Sequence, residues 1–432
     1  MDDRKAWIVT VNMGYGHQRT TYALRNLAHK DLIINANDYD DIPKKDKGIW
    51  ESSRSFYEFI SNFKRIPFIG NLVFSIYDTF QRIFTFYPRR DLSFPNLALK
   101  VMFSLIEEGW GRDLIQRLNR ENGRRPLISA FFTPAFMAEY FKYEGDIYCI
   151  VCDADIARSW VPLNPFKSHI KYFAPNTRTV ERLKMYGISS KNIFLTGYPL
   201  PLENIGGEDM EILKEDLRNR LINLDPEKNY FKSYEPLIRA KLGKLPSNSN
   251  HPLTILFSVG GAGVQKELSV AITNNLKEEL KREKLKIILS AGIKEKVNNY
   301  FLRSLERLKL SDLVGKSIEI IFEKEMKDYF RVFNEKLRVT DILWTKPSEL
   351  SFYSALGIPL VIAPPVGSQE EFNRRWLLKS GFGMEQESIY NVKEWFYDWL
   401  KRGFFAEKAM QALIKGRQLG ALNIEKVIFN NR

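Results

Sequence analysis

An apolar run, Trp7–Asn12, is followed at once by Gly14, Gly16 and His17. Glycines after a strand let the backbone pass close to a ligand and leave the first N–H groups of the next helix pointing outward. The following residues, Gln18–Ala28, read as that helix, which places His17 at its start. The positive end of a helix disfavours protonation, so a histidine there can stay neutral and act as a hydrogen-bonding group or a base. The spacing is not that of a dinucleotide fingerprint, because Arg19 stands where the third glycine would fall. A helix-start turn with an incidental histidine is the plainer alternative.

A second glycine turn, Gly260-Gly261-Ala262-Gly263, follows the apolar run Leu253–Val259. It offers the same anchoring for a phosphate or pyrophosphate, through Gly261 and Gly263. The most specific stretch is residues 345–373, TKPSELSFYSALGIPLVIAPPVGSQEEFN. It reads as a strand end, a proline turn, a helix Glu349–Leu356, a strand and a polar loop. Lys346 is a cation beside that turn, and Glu349 could accept both hydroxyls of a ribose. Gln369 and Glu370 offer an amide and a carboxylate for sugar hydroxyls on one loop, with Asn373 just beyond. Each candidate falls at the C-terminal mouth of a strand, where open α/β sheets bind ligands. Asp153-Ala154-Asp155 follows another apolar strand and invites comparison with a metal-binding D-x-D. That motif belongs to a one-sheet fold, and Asp153 is better read as a carboxylate at the mouth of the first sheet.

In these segments the chain resembles the GT-B enzymes of glycosyltransferase family 28, the monogalactosyldiacylglycerol synthases and processive diacylglycerol glucosyltransferases. The resemblance runs along most of the chain, in order: Gly14-Tyr15-Gly16-His17, Asp153 to Trp160-Val161, Thr196-Gly197-Tyr198-Pro199, Ser258 to Gly263, Thr345-Lys346-Pro347, and Gln369-Glu370 with Asn373. There are departures. Ala157 replaces a histidine common in the family, Ser348-Glu349 replaces a glycine pair, Ser368 is inserted, and Phe352 stands where the ribose-binding glutamate usually lies. Glu349 is one helical turn earlier on the same face.

The resemblance implies a metal-independent, inverting hexosyltransferase that uses a nucleoside-diphosphate sugar, UDP-linked, as co-substrate without a cofactor. The acceptor would be lipid-like, a diacylglycerol or a polyprenyl-linked saccharide. Either His17 or Asp153 would take the acceptor proton; both remain open. Gly14 and Gly16 would form the acceptor-side phosphate loop. The donor would be held by Gly261, Gly263, Lys346, Glu349, Gln369, Glu370 and Asn373. A sugar-nucleotide epimerase of the same fold, or a non-catalytic membrane- or carbohydrate-binding relative, is the alternative.

The elements that must position these residues follow a βαβ rhythm, so the expected fold class is α/β, GT-B, with two Rossmann-like doubly wound domains facing a cleft. Residues 1–202 form the acceptor-side domain, 203–251 a linker with an insertion, and 252–391 the nucleotide-sugar domain. Residues 392–432 are helices expected to pack back toward the N-terminal domain. Residues 49–118 interrupt the rhythm as a helical aromatic insert. Within 49–90, twelve aromatics interleave with Arg54, Lys64, Arg65, Arg82, Arg89 and Arg90. That is the composition of an interfacial membrane binder, and Phe56, Phe59, Phe63, Arg65, Phe80, Arg82 and Phe84 are its membrane-facing candidates. An internally packed insert is the alternative.

A net charge of +13 calls for an anionic partner. The basic residues are dispersed without a nucleic-acid recognition module, which points to an anionic membrane surface and a phosphate-bearing ligand and away from nucleic acid. No run of 18 uncharged apolar residues occurs and the N-terminus opens directly into a strand, so the expected location is the cytoplasmic face of a membrane, held peripherally. Cys149 and Cys152 lie in an apolar strand whose alternation separates the thiols, and the four histidines are scattered, so neither redox chemistry nor a metal site is expected.

Overall fold

The computed structural model describes residues 4–52, 82–122, 124–258, 263, 265–365 and 368–430. The chain divides into two compact units. The first comprises Met1–Pro199, Gly367–Phe372 and Leu419–Arg432; the second comprises Leu200–Val366 and Asn373–Gln418.

The first unit is built on six parallel strands: β1 (Ala6–Thr10), β2 (Ala28–Asn35), β3 (Leu127–Ser129), β4 (Ile147–Ile150), β5 (Lys171–Ala174) and β6 (Ile193–Leu195). Their order is β2-β1-β3-β4-β5-β6. Parallel strands are covered on both faces, which is why β1, β3 and β4 are apolar runs buried throughout. The strand order reverses between β1 and β3, and this is the ligand-binding position of such sheets. The helices are α1 (Tyr15–Tyr22), α2 (Leu97–Glu107), α3 (Arg112–Asn122), α4 (Phe132–Tyr140) and α5 (Thr177–Met185).

Three expectations change here. The first helix starts at Tyr15 rather than Gln18 and ends at Tyr22; a 3-10 turn at Arg25–Leu27 leads into β2 at Ala28. Residues 97–118 are no insert, since Leu99, Met102, Phe103 and Ile106 recur at helical spacing and join Trp7, Val9 and Leu127 in the core. Residues 82–96 are not helical. Both cysteines are free and buried.

The second unit also has six parallel strands: β7 (Leu253–Ser258), β8 (Leu285–Gly292), β9 (Ile318–Phe322), β10 (Ile342–Thr345), β11 (Leu360–Ile362) and β12 (Gly383–Glu385). Their order is β12-β11-β10-β7-β8-β9, with the reversal between β7 and β10. Each unit is thus a Rossmann-like doubly wound domain, and two in one chain is the domain content of the GT-B fold.

Residues 203–251 are not a linker. They form α6 (Leu202–Ile205), α7 (Glu211–Leu224) and α8 (Asn229–Leu242). Leu217, Leu221 and Leu224 of α7, with Ile238 and Leu242 of α8, are buried in the second core. Their apolar periodicity is diluted by the charges between them. The remaining helices of this region are α9 (Lys266–Asn275), α10 (Lys277–Lys281), α11 (Glu295–Arg307) and α12 (Met326–Leu337). Helix α13 (Ser368–Ser380) is divided between the units at residue 372. Helices α14 (Val392–Lys401) and α15 (Phe404–Lys415) stay with the second unit, while α16 (Gly420–Phe429) belongs to the first. There Asn423 Nδ2 donates to the Thr196 carbonyl at 2.9 Å.

Candidate functional site

At the mouth of the first sheet, the chain leaves β1 and turns at Gly14, whose φ of 114° and ψ of 165° are open only to glycine. A Cβ there would meet nothing within 4 Å, so the requirement lies in the backbone and not in space. The turn ends at Gly14, and Gly16 is already inside α1; its carbonyl accepts the Thr20 hydroxyl at 2.8 Å.

His17 is the third residue of α1, and its Nδ1 lies 2.8 Å from the carbonyl of Ala130, just past β3. A carbonyl only accepts, so Nδ1 carries the hydrogen and Nε2 keeps its lone pair. The ring meets Phe131 edge-on at 4.8 Å, and Trp160 lies 6.4 Å away. Burial pushes His17 down to about 4, with the Ala130 hydrogen bond opposing. A neutral histidine therefore bridges the reversal point of this sheet.

Asp153 is half-buried in the loop after β4. Its neighbours fasten that loop. Ala154 O accepts from Asn176 Nδ2 at 3.0 Å and Thr179 Oγ1 at 3.2 Å, Ile156 O from Tyr186 at 2.8 Å, and Trp160 O from Tyr172 at 3.1 Å. Asp155 is buried and takes Arg182 on both oxygens, at 2.8 and 3.0 Å, and Arg178 at 2.6 Å. Burial opposes the Arg182 charge, yet the carboxylate raises its pKa on balance. Asp155 is committed to two guanidinium groups, which removes it from a D-x-D metal pair. Arg158 is likewise buried and donates to the carbonyls of Ser93, Val161 and Pro162. The sequence reading overlooked Arg158 and Arg182; their only signal is the charge of α5 and of the loop itself.

In the second sheet, Thr345 stands in register with Ser258 of β7 and Ile362 of β11. Its hydroxyl donates to Ser258 O at 3.0 Å. The turn that carries Lys346 and Glu349 thus leaves the sheet at its reversal point, beside the strand that runs into the glycine turn. Lys346 and Glu349 are half-buried. Glu349–Leu356 is a 3-10 helix, not an α-helix, closed by Gly357 in the left-handed region. With three residues per turn, Glu349 and buried Phe352 stack on one side. Buried Arg220 holds the far end of this helix through Leu356 O at 3.0 Å and also binds Thr340 O at 2.7 Å.

Gly261 lies outside the described residues. Gly263 has a φ of +67°, and a Cβ there would come 2.9 Å from Val297 Cγ2. Gln265 Nε2 donates to Pro364 O at 2.7 Å, just past β11. Gln369 and Glu370 are not in a loop; they are half-buried in the first turn of α13, on the part that groups with the first unit. Asn373 is buried and donates to Pro347 O at 3.4 Å, so its amide braces the Lys346 turn.

Of the membrane-facing candidates, Phe56, Phe59, Phe63, Arg65 and Phe80 lie outside the described residues. Arg82 and Phe84 are exposed, with the guanidinium 5.2 Å over the ring. Among the described residues no helix is long and apolar enough to cross a membrane.

Residues 245–319 match a family described as a domain of unknown function, DUF6938. A protein of Acanthamoeba polyphaga mimivirus named as the DNA mismatch repair protein mutS homolog L359 is 22% identical over 261 residues, 55% of this chain. The match spans 22% of that protein's length. Among solved structures, MurG of Acinetobacter baumannii is 11% identical with a TM-score of 0.45, covering 99% of both chains. UDP-GlcNAc 2-epimerase of Neisseria meningitidis, bound to UDP-GlcNAc, is 14% identical with a TM-score of 0.44 over 78% of this chain and 83% of that one. A glycosyltransferase of Rickettsia africae is 14% identical with a TM-score of 0.41 over 99% and 100%. Identities of this size with TM-scores below 0.5 say nothing about this chain's activity.

Proposed function

We propose that this chain is a metal-independent inverting glycosyltransferase of the family 28 kind, which moves a sugar from a nucleoside diphosphate, UDP, to a lipid-like acceptor at an anionic membrane surface. The observation that carries the reading is His17: neutral, fixed through Nδ1, with Nε2 kept as an acceptor at the reversal point of the first sheet. In this reading the acceptor hydroxyl donates to Nε2 and attacks the anomeric carbon as the bond to the diphosphate breaks. A histidine held near 4 is a weak base, but a diphosphate brought close favours the imidazolium and raises its proton affinity during the reaction. Asp153 is the second candidate for that proton. Lys346 and the N–H groups of the glycine turn take up the charge of the leaving group. Glu349 accepts the ribose hydroxyls, Gln369 and Glu370 bind the sugar, and Asn373 supports the Lys346 turn.

The test is release of nucleoside diphosphate from a panel of nucleotide sugars, with and without vesicles containing diacylglycerol or polyprenyl-linked saccharide. Release should require acceptor. His17→Ala should lower kcat by about 100-fold or more, while UDP still raises the melting temperature. Donor turnover without acceptor, or His17→Ala with an unchanged kcat, would overturn the reading.

A further inference from the structure

Residues 84–93 run over the surface of the first unit without regular structure. Four contacts hold their inner side. Arg182 Nη2 donates to Phe84 O at 2.8 Å and Leu92 N donates to Met185 O at 2.8 Å. Arg158 donates to Ser93 O through Nε at 2.8 Å and Nη2 at 2.6 Å. Phe86, a buried side chain of the segment, sits among three guanidinium groups: Arg178 at 4.4 Å, Arg182 at 5.2 Å and Arg89 at 5.6 Å from the ring centre. Cation–π contacts of this kind gain strength when desolvated.

Two of these arginines have a second task. Arg182 is the bidentate partner of Asp155, and Arg158 binds the carbonyls of Val161 and Pro162. Each arginine therefore joins the strap to the loop that bears Asp153 and Trp160, and Trp160 borders the His17 ring. Moving Phe86 moves the two guanidinium groups that hold Asp155 in the candidate base loop, and the same strap is tied through Ser93 to Arg158 at the loop's other end.

The outer side of the same stretch is different. Tyr87 is 71% exposed, Phe94 82% and Leu97 74%, and Leu97 and Val101 share one side of α2. Residues 82–101 carry Arg82, Arg89, Arg90 and Lys100 against one acid, Asp91. Exposed aromatics among cations suit a surface that is apolar below and anionic above.

We propose that residues 84–94 are a strap whose outer side rests on an anionic bilayer and whose inner side, through Phe86, Arg158 and Arg182, positions the loop carrying Asp153 and Trp160. Phe86 is then a positioning residue. The proposal rests on the glycosyltransferase reading for its consequence on turnover, but its geometry is tested without turnover.

The experiment uses the full chain with vesicles of phosphatidylcholine containing about 30% phosphatidylserine. Co-sedimentation and amide hydrogen exchange of residues 153–163 are measured, followed by kinetics. The wild type should sediment, and the loop amides should slow by about tenfold on vesicles. Tyr87→Ser with Phe94→Ser should abolish sedimentation and leave the loop at its vesicle-free rate. Phe86→Ala should still sediment, lose the slowing, and lower kcat by about tenfold with little change in KM for the nucleotide sugar. Phe86→Tyr, which keeps the ring among the guanidinium groups, should restore the slowing and guards against a Phe86→Ala variant that fails to fold. Loop exchange that ignores vesicles in the wild type, or that responds normally in Phe86→Ala, overturns the proposal. A response to vesicles without any glycosyl transfer leaves the coupling standing and removes the catalytic reading.

Discussion

The Nδ1 of His17 and the carbonyl oxygen of Ala130 are 2.8 Å apart across 113 residues of sequence, and this one bond selects the imidazole tautomer at the mouth of the first sheet. The other ring nitrogen is thereby committed to acceptance. Burial keeps the ring from charging, against the opposing hydrogen bond to Ala130.

The pH consequence has a definite sign. His17 titrates near 4 when folded, against 6.5 for the ordinary side chain. Between these values the unfolded chain binds the extra proton, so the histidine costs stability as pH falls through the window and costs nothing above it. Urea unfolding at pH 7 and pH 4 should show wild type losing up to about 3 kcal/mol more than His17→Gln. Equal losses would remove the neutral imidazole.

Glu349 should matter for nucleotide and not for membrane. In the proposed reading its removal takes away charged hydrogen bonds to a ribose, worth about 1.5–3 kcal/mol. Calorimetry with UDP should show Glu349→Ala weakened by roughly 10- to 100-fold, with vesicle sedimentation unchanged. An unaltered Kd would take Glu349 out of the site.

Arg220 is a buried cation that serves backbone carbonyls of Leu337, Thr340, Leu356 and Gly357. Burial lowers its pKa, and the nearby Asp341 charge only partly opposes this. Arg220→Ala leaves those carbonyls without their donor and should cost about 3 kcal/mol or more in denaturant unfolding. Because Leu356 and Gly357 close the helix that begins at Glu349, UDP affinity should fall in the same variant. Arg220→Ala with near-wild-type stability would contradict the packing described.

The C-terminal helix offers a fourth check. Gly420 is pressed so closely on Tyr198 that any Cβ would overlap the Tyr198 carbonyl. Gly420→Ala should break the bond from Asn423 to Thr196 and cost about 1–3 kcal/mol. Limited proteolysis should then cut between α15 and α16 faster than in wild type. Unchanged cleavage would mean that the helix tolerates displacement.

Much of the architecture was legible from residue order alone, because a strand's apolar run and a glycine's positive φ are local requirements. Gly14 and the proline turn after Thr345 announce the two strand mouths wherever the rest of the chain goes. Local pattern misled where charge masked periodicity, as in α7, whose buried leucines are separated by Lys214, Glu215, Asp216 and Arg218. It misled again at Ser351 and Ser354, where hydrogen bonds within the turn, such as Ser354 Oγ to Ser351 O at 2.7 Å, accompany a 3-10 helix in place of the expected α-helix.

Residue types and their spacing determined that the chain would form two parallel sheets, each with a glycine turn after its first strand, since pleat and turn depend on neighbours a few residues away. Tertiary structure alone decided the protonation of His17, the engagement of Asp155 by Arg178 and Arg182, and the return of α16 to the first unit. Those outcomes depend on desolvation and on partners brought from tens to more than two hundred residues away, and no local pattern encodes them.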